Sequence, residues 1–172
     1  MKKIAGIRPQ DLLVLLKIVA LQKFPWRTTD LANQLFISQS EISEGLYRNR
    51  MARLVDDSKR NVNRESLLEF LEHGVKYVFP QRPGAIARGV PTAHSAPPLS
   101  TMVQSDETIY VWPDVEGMVR GESIEPLYPT VPKAAKIDER FYEMVALADA
   151  IRIGRPREVK LATDELRKRI FR

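Results

Sequence analysis

Proline is concentrated in the middle of this chain, and its distribution limits where long helices can form. Nine of the 12 prolines lie between Pro80 and Pro132, and three lie elsewhere. Proline has no amide hydrogen to donate and clashes with the preceding helical turn, so residues 80–132 cannot hold a long helix. The distribution therefore divides the chain into residues 1–79, residues 80–132 and residues 133–172.

Apolar and aromatic residues recur through the proline-rich segment, which is not the composition of a disordered linker. Residues 108–112 are typical of a strand and residues 118–122 of a weaker one, with a turn from Pro113 to Gly117 between them. Residues 83–132 carry a net charge of −4, whereas residues 1–82 carry +5 and residues 133–172 carry +4. We predict an ordered, extended, acidic arm with little β structure that wraps the body or a neighbouring molecule.

The N-terminal segment begins with a strongly apolar helix. Pro9 suits its first turn, and Leu12, Leu15, Leu16 and Val19 recur at helical spacing, with Leu13 and Val14 widening the apolar face. A helix of this composition is buried on most sides. The rest of the domain can supply that burial, and a second subunit is the alternative.

Two short helices joined by a tight turn are predicted within residues 28–53. Thr28 or Thr29 is expected to cap the first helix. Ser38 is expected to cap the second, with Glu41 at the capping-box spacing. Gly45 should allow close approach of the first helix. The inward positions hold apolar or small residues, namely Leu31, Ala32, Leu35, Ile37, Ile42 and Leu46.

Residues 8–77 resemble the helix-turn-helix of winged-helix bacterial transcriptional regulators, because those six inward residues stand where the family needs them. Phe36 departs from the pattern, since the simplest members carry a small residue or glycine near this position. The resemblance implies that the second helix enters a DNA major groove. It also implies a wing within residues 54–63, for which a plain loop is an equal alternative. An ordinary helical hairpin in a core is the alternative for the whole motif.

The resemblance further implies a set of DNA-contacting side chains. Those expected to read base edges are Gln39, Ser40, Ser43 and Glu44. Those expected to hold the DNA backbone are Thr28, Tyr47, Arg48, Arg50, Lys59 and Arg60. One helix contacts few base pairs, so useful specificity implies a homodimer on double-stranded DNA.

The C-terminal segment returns to helical periodicity. Asp138 is expected to cap one helix, Gly154 to end it, and Pro156 to begin a second. The predicted fold class is therefore mainly α. It comprises a winged helix-turn-helix domain over residues 1–79, the extended Pro-rich arm over residues 80–132, and a C-terminal helical hairpin over residues 133–172.

Several classes of function are disfavoured. The chain has no cysteine and two histidines, which excludes disulfides and disfavours a zinc site. No nucleotide-binding loop, metal-binding His pair or nucleophile elbow occurs, so we expect no cofactor and no enzymatic activity. The longest apolar run, from Leu12 to Leu16, is too short to span a bilayer, and no signal-peptide pattern is complete. We expect a cytoplasmic protein.

The combined prediction is a sequence-specific, DNA-binding transcriptional regulator. The alternative is a protein-interaction module, an antitoxin or adaptor, whose acidic Pro-rich arm (residues 80–132) binds a partner protein. Glu41 and Glu44 favour this alternative, because carboxylates on the reading helix would repel phosphate.

Overall fold

A computed structural model describes residues 6–104 and 108–172. The described residues form eight α-helices, three strands and two single-turn 3-10 helices. The α-helices are α1 (Pro9–Leu21), α2 (Thr28–Leu35), α3 (Gln39–Met51), α4 (Arg64–His73), α5 (Val75–Val78), α6 (Val131–Ala135), α7 (Glu139–Ile153) and α8 (Pro156–Ile170). The strands are β1 (Ile86–Pro91), β2 (Tyr110–Pro113) and β3 (Val119–Ser123), and the 3-10 helices are Ala93–Ser95 and Leu99–Thr101. None of the described helices has the length and apolar character needed to cross a membrane.

Four of the other helices pack around α1. The five residues from Leu12 to Leu16 are each at most 1% exposed, and α1 contacts α2, α3, α7 and α8. Burying one leucine or valine side chain contributes about 1.5–3 kcal/mol, so this short run is a substantial part of the core. The prediction of a helix buried on most sides is confirmed, and the burial is supplied within one chain.

A buried ion pair joins α1 to α7. The Lys17 ammonium lies 2.5 Å from Asp138 Oδ2, and the Lys17 side chain is almost inaccessible. Asp138 also caps α7, because its Oδ1 accepts a hydrogen bond from the Phe141 amide at 3.1 Å. The cap predicted at Asp138 is therefore confirmed, and the same carboxylate ties α7 to α1.

The helices predicted on either side of Gly154 are confirmed as α7 and α8. They lie antiparallel, with Arg169 Nη2 2.8 Å from Glu143 Oε2. Both helices also contact α1 and α4. They share the core of the N-terminal helices, whereas the predicted fold class had a hairpin appended after an arm.

The predicted fold class was wrong for the described part of residues 80–132, which contains a compact three-stranded sheet instead of an extended arm. β1 runs antiparallel to β2, with Val90 opposite Trp112. It also runs antiparallel to β3, with Arg88 opposite Arg120. β2 and β3 pair in parallel, so the three strands pair with one another all the way round. β2 and β3 correspond to the two predicted strands, and β1 was not predicted.

Glycines permit this closure, because the strand backbones approach too closely for any side chain. A Cβ atom on Gly89 would lie 1.8 Å from the Trp112 carbonyl oxygen, and one on Gly121 would lie 2.4 Å from the Ile109 carbonyl oxygen. A Cβ on Gly117 would lie 2.3 Å from the Gly89 Cα. Glycine within a strand often marks such an approach of another backbone. Gly117 was predicted at the end of a turn and Gly121 in a strand, and these backbone contacts were not predicted.

Asp149 attaches the sheet to α7. This fully buried carboxylate accepts hydrogen bonds from Trp112 Nε1 at 2.7 Å and from Thr92 Oγ1 at 2.8 Å. Arg152 Nη1 lies 2.7 Å from its other oxygen, and Arg152 Nε donates to the Phe79 carbonyl at 2.8 Å. A buried carboxylate is tolerated when it is paired and hydrogen-bonded in this way. The network holds the sheet against the helical body.

Residues 54–63 do not form the two-stranded wing that the predicted fold class requires. Their pairing is a single antiparallel bridge between Val55 and Val62, and no strand lies in this range. The sequence lacks the Asn-Gly or Asp-Gly pair that favours a two-residue hairpin. A compact turn between Val55 and Val62 takes the place of the wing.

Candidate nucleic-acid interface

α3 has one buried face and one exposed face. Ile42 and Leu46 are buried, as are all six positions predicted to face inward in this motif. The exposed face runs along the helix and carries Ser40, Ser43, Glu44, Tyr47 and Arg50, with Gln39 in the first turn. α1 and α2 pack against the buried face, so the helix presents a polar surface on a rigid support.

The turn between α2 and α3 contains Phe36, Ile37 and Ser38. Phe36 has left-handed backbone angles (φ 55°, ψ 41°), which cost about 1–2 kcal/mol for a residue other than glycine. Its ring packs against the core, and Lys133 Nζ lies 4.0 Å from the ring centroid. Packing and a cation–π contact offset part of the backbone cost. A large residue therefore occupies the position near which the simplest winged helix-turn-helix proteins carry a small residue or glycine.

The helix starts agree only in part with the predicted caps. Ser38 Oγ accepts a hydrogen bond from the Glu41 amide at 3.2 Å, so the Ser38 cap is confirmed. The cap predicted at Thr28 or Thr29 was wrong, because Thr28 is already the first residue of α2. Asp30 serves that end of the helix by accepting from the Arg27 amide at 2.7 Å.

Arg48 faces the protein interior and is not available to DNA phosphates. Its side chain is 6% exposed and binds Asp11 of α1 through two hydrogen bonds, from Nε at 2.7 Å and from Nη2 at 2.8 Å. The bond to Asp11 raises the pKa of Arg48. A Cβ on Gly45 would lie 2.7 Å from Asp11 Oδ1, so Gly45 makes room for α1, where approach of α2 had been predicted. The assignment of Arg48 to the DNA backbone was therefore wrong.

Asp56 organises the turn that follows α3. Its Oδ1 accepts from Ser58 Oγ at 2.7 Å and from the Arg60 amide at 3.1 Å, and its Oδ2 accepts from Asn61 Nδ2 at 2.7 Å. These hydrogen bonds, with that of Ser58 the largest contribution, hold the pKa of Asp56 well below its ordinary value. The carboxylate is therefore ionised at neutral pH and fixes the turn geometry.

The Asp56 turn brings basic side chains beside the exposed face of α3. Lys59 Nζ lies 5.8 Å from the ring centroid of Tyr47. Arg50 Nε lies 3.0 Å from Asp57 Oδ1 in an exposed ion pair. Arg60 belongs to the same turn and reaches back toward the connection between α1 and α2. The Arg60 guanidinium stacks over the Trp26 ring at 4.7 Å, and its Nη1 donates to the Trp26 carbonyl at 2.9 Å.

The predicted contact residues thus fall into three groups: those that are wholly or partly buried, those in the Asp56 turn, and those exposed on α3. Thr28 is half-buried at the start of α2, and Arg48 is buried against α1. Lys59 and Arg60 lie in the Asp56 turn. The remaining six, Gln39, Ser40, Ser43, Glu44, Tyr47 and Arg50, are exposed on α3.

Sequence reasoning missed Arg53, which is exposed two residues after α3 ends and has a left-handed φ of 60°. Arg53 lines a surface hollow of about 650 Å³ together with Arg50 and Asp57. Helical spacing, by contrast, does indicate that Arg48 turns inward. Arg48 follows Gly45 by three residues and shares its buried face of α3, whereas Arg50 does not.

His94 and Ser95 are adjacent in sequence but are engaged separately. His94 Nε2 lies 3.0 Å from the Thr108 carbonyl oxygen, whereas Ser95 Oγ accepts from the Tyr110 amide at 2.9 Å. This is not the arrangement of a nucleophile and its base, in which the serine hydroxyl donates to the imidazole. The surface beside α3 remains the strongest candidate site in the described residues. Comparison of the chain with family models, with curated proteins and with solved structures finds no match.

Proposed function

We propose that this protein is a sequence-specific DNA-binding transcriptional regulator, acting in the cytoplasm, that inserts α3 into a major groove. The observation that carries the proposal is the continuous exposed polar face of a helix whose opposite face is buried against α1 and α2. The major groove of B-form DNA admits an α-helix. A docked helix must also be held rigidly, and the Asp11–Arg48 pair fixes α3 to the central helix.

The first turns of α3 are the proposed base-reading part. Gln39 can form paired hydrogen bonds with adenine, Glu44 can accept from cytosine, and the hydroxyls of Ser40 and Ser43 can bond to either kind of edge. All four side chains are exposed. Each good bidentate pair contributes about 1–3 kcal/mol of discrimination against the wrong base.

The proposed backbone contacts flank this reading surface. Lys59, Arg60 and Arg50 supply positive charge from the Asp56 turn and from the end of α3, and Tyr47 can donate its hydroxyl to a phosphate. Thr28 is retained as a contact at the start of α2. Glu44 and Asp57 reduce the local positive charge, so we expect moderate affinity and a salt dependence set by few phosphate contacts.

A single reading helix contacts few base pairs, so the proposal includes a homodimer on two half-sites about one DNA turn apart. A palindromic site protected from cleavage, with half-sites separated by about 10 base pairs, would support the dimer.

The experiment is a mobility-shift titration of the protein against the DNA upstream of its own gene, at two salt concentrations. Gln39→Ala and Ser43→Ala should reduce the preference for this DNA over an unrelated duplex by about 1–3 kcal/mol. Lys59→Ala should weaken binding to both duplexes and reduce the salt slope by about one. Lys160→Ala, on the distant helix α8, is the matched lysine control and should change neither quantity.

Absence of salt-dependent retention on any duplex would contradict the proposal. Equal losses for Lys59→Ala and Lys160→Ala would also contradict it, because the contact would then be diffuse positive charge with no defined surface.

A second candidate function is protein binding through the loop between β2 and β3. Val115 and Met118 in this loop are each 95% exposed. The loop is nevertheless held firmly, since Lys136 Nζ lies 2.8 Å from Asp114 Oδ2 and 3.3 Å from Glu116 Oε2. Two fully exposed apolar side chains on a fixed loop favour a protein contact.

Crosslinking in cells tests this candidate. A photoreactive amino acid at Met118 should form an adduct with one defined protein, and the same group at exposed Tyr77 on α5 should not. Equal adducts at both positions, or none at Met118, would eliminate the candidate.

A further inference from the structure

A groove of about 550 Å³ lies where the connection between α1 and α2 meets the end of the Asp56 turn and the start of α4. We call it the 22–64 groove. Its lining comes from residues 18–26 and 60–64 and includes Lys23, Phe24, Trp26, Arg60 and Arg64. Its volume is within the usual range for pockets that hold small molecules, about 300–1,000 Å³.

The lining is positively charged. Lys23, Arg60 and Arg64 contribute three cations, and no lining residue is acidic. The two arginines are held in place by the protein, because Arg60 Nη1 donates to the Trp26 carbonyl and Arg64 Nη1 donates to the Ile170 carbonyl. Carbonyl oxygens fix the guanidinium groups without cancelling their charge. The groove therefore offers ordered cations to an anionic ligand.

Aromatic rings stand among these cations. Phe24 is 69% exposed, although its amide is bonded to the Leu21 carbonyl at 3.1 Å, so the backbone that carries the ring is held to the end of α1. Trp26 is half-buried beneath the Arg60 guanidinium. When a flat or apolar group covers an exposed phenyl ring, apolar surface is removed from water, which is favourable.

We infer that the 22–64 groove binds a nucleotide, with phosphate against Lys23 and Arg64 and the base stacked on Phe24. Cationic side chains and an aromatic ring are the pairing that single-stranded nucleic-acid sites use, because each base exposes a π face once it is unstacked. A duplex keeps its base faces within the stack, so it would not use the ring. The nucleotide can be free in solution or part of a single strand, since both present the same phosphate and base.

This site is distinct from the proposed interface on α3. The two surfaces share only Arg60, and Phe24, Lys23 and Arg64 do not belong to the proposed contacts with duplex DNA. The groove can therefore bind its ligand whether or not α3 reads a duplex.

The test measures binding of the full-length protein to fluorescein-labelled oligothymidylate of about 12 nucleotides, at salt concentrations of about 50 mM and 200 mM. Thymidine monophosphate is titrated separately, followed by Trp26 fluorescence. The other tryptophan, Trp112, is fully buried and provides a constant background. Binding of the mononucleotide identifies a free nucleotide as the ligand, and binding of the oligonucleotide alone identifies a single strand.

Phe24→Ala should weaken binding by about 5- to 150-fold, the range for loss of one stacked base. Tyr77→Ala is the matched control, because Tyr77 is an aromatic residue of similar exposure (73%) on α5, and it should leave the affinity unchanged. Phe24→Leu keeps an apolar side chain without the ring and should resemble Phe24→Ala. Lys23→Ala should also weaken binding and flatten the salt dependence, whereas Lys160→Ala should do neither.

Failure to bind either probe at the lower salt concentration would overturn the inference. Equal affinity of Phe24→Ala and Tyr77→Ala would overturn it as well, and so would tighter binding of a random duplex with the same dependence on Phe24. Gln39→Ala and Ser43→Ala should leave oligothymidylate binding intact, so failure of the proposed α3 function is separable from failure of this one.

Discussion

Asp11 and Arg48 form an ion pair that is removed from water on both sides. Asp11 is inaccessible and Arg48 is 6% exposed. Both oxygens of the Asp11 carboxylate accept hydrogen bonds from Arg48, and one of them also accepts a hydrogen bond from the Arg8 amide at 2.8 Å. The Asp11 carbonyl accepts from Asn49 Nδ2 at 3.0 Å. Removing one partner of a buried pair leaves an uncompensated charge, which costs far more than the pair itself contributes.

We expect Arg48→Ala to lower the free energy of unfolding by about 3–5 kcal/mol, because Asp11 would remain buried without its cation. Urea denaturation measures this change through the midpoint and the slope of the transition. Any loss of DNA binding in this variant should follow the loss of folded protein.

Arg50→Ala is the matched control on the same helix. Arg50 pairs with Asp57 in solvent, where the Asp57 side chain is 94% exposed, and such pairs contribute about 0–1 kcal/mol. If the two variants were equally destabilised, the buried pair would not be the attachment between α1 and α3.

Asp56 gives the turn after α3 a defined response to acid. Its pKa is lowered by hydrogen bonds, chiefly that from Ser58, so the folded turn favours the ionised form. The contribution of Asp56 to the turn is complete above 3.8, the ordinary pKa of aspartate. It is lost only as the pH falls through the lower value in the folded state.

We expect the amide resonances of Arg60 and Asn61 to keep their positions as the pH falls to 3.8 and to shift only below it. An NMR titration measures this, with Asp56→Ala as the control whose amide resonances do not report that transition. A titration midpoint at or above 3.8 would contradict the hydrogen-bonding scheme.

The three-stranded sheet is an element that depends on close backbone contact. The space of a Cβ atom is occupied by the Trp112 carbonyl oxygen at Gly89, by the Ile109 carbonyl oxygen at Gly121 and by the Gly89 backbone at Gly117. Closely packed groups resist even one additional methyl group, at a typical cost of about 1–3 kcal/mol. Even a methyl side chain at one of these glycines should therefore destabilise the closed three-stranded sheet.

Gly89→Ala should destabilise the protein by at least about 1–3 kcal/mol, because its Cβ would overlap the Trp112 carbonyl oxygen. Thermal unfolding should show this as a drop of about 2–4 °C for each kcal/mol. Gly6→Ala is the control, since a Cβ at Gly6 would meet nothing within 4 Å. An unchanged melting temperature for Gly89→Ala would mean that the strands do not close in solution.

α1 joins the N-terminal helices to the C-terminal ones. α1 contacts α2 and α3 among the N-terminal helices and α7 and α8 among the C-terminal ones. Lys17 and Asp138 connect residues 121 positions apart in the sequence. Elements that share one core are expected to unfold together.

We therefore expect a single unfolding transition for the intact protein, with coincident midpoints by circular dichroism and by tryptophan fluorescence. A fragment of residues 1–79 should not fold alone, because the surface of α1 that α7 and α8 cover would be exposed to water. A folded fragment, or two separate transitions, would support the division into separate domains at residues 79 and 80.

Local signals determined much of the helical structure. The caps at Ser38, Asn63 and Asp138 act within three residues of each helix start, so their spacing can be recognised in the sequence. The burial of Leu31, Ile42 and Leu46 follows from helical periodicity in the same way. Most of the remaining polar positions of α3 form its exposed face, and Arg48 and Asn49 are the buried exceptions.

From the sequence alone, most of the helices, the caps at Ser38, Asn63 and Asp138 and the six exposed polar side chains of α3 could be predicted, because these depend on neighbours within a few positions. Only tertiary packing decided that Arg48 pairs with Asp11, which lies 37 residues earlier. It likewise decided the sheet, where Gly89 and Val119 must meet across the chain, and the groove that gathers Phe24 and Arg64. Contacts between distant residues depend on how the whole chain packs, and the local pattern of residues carries no signal for them.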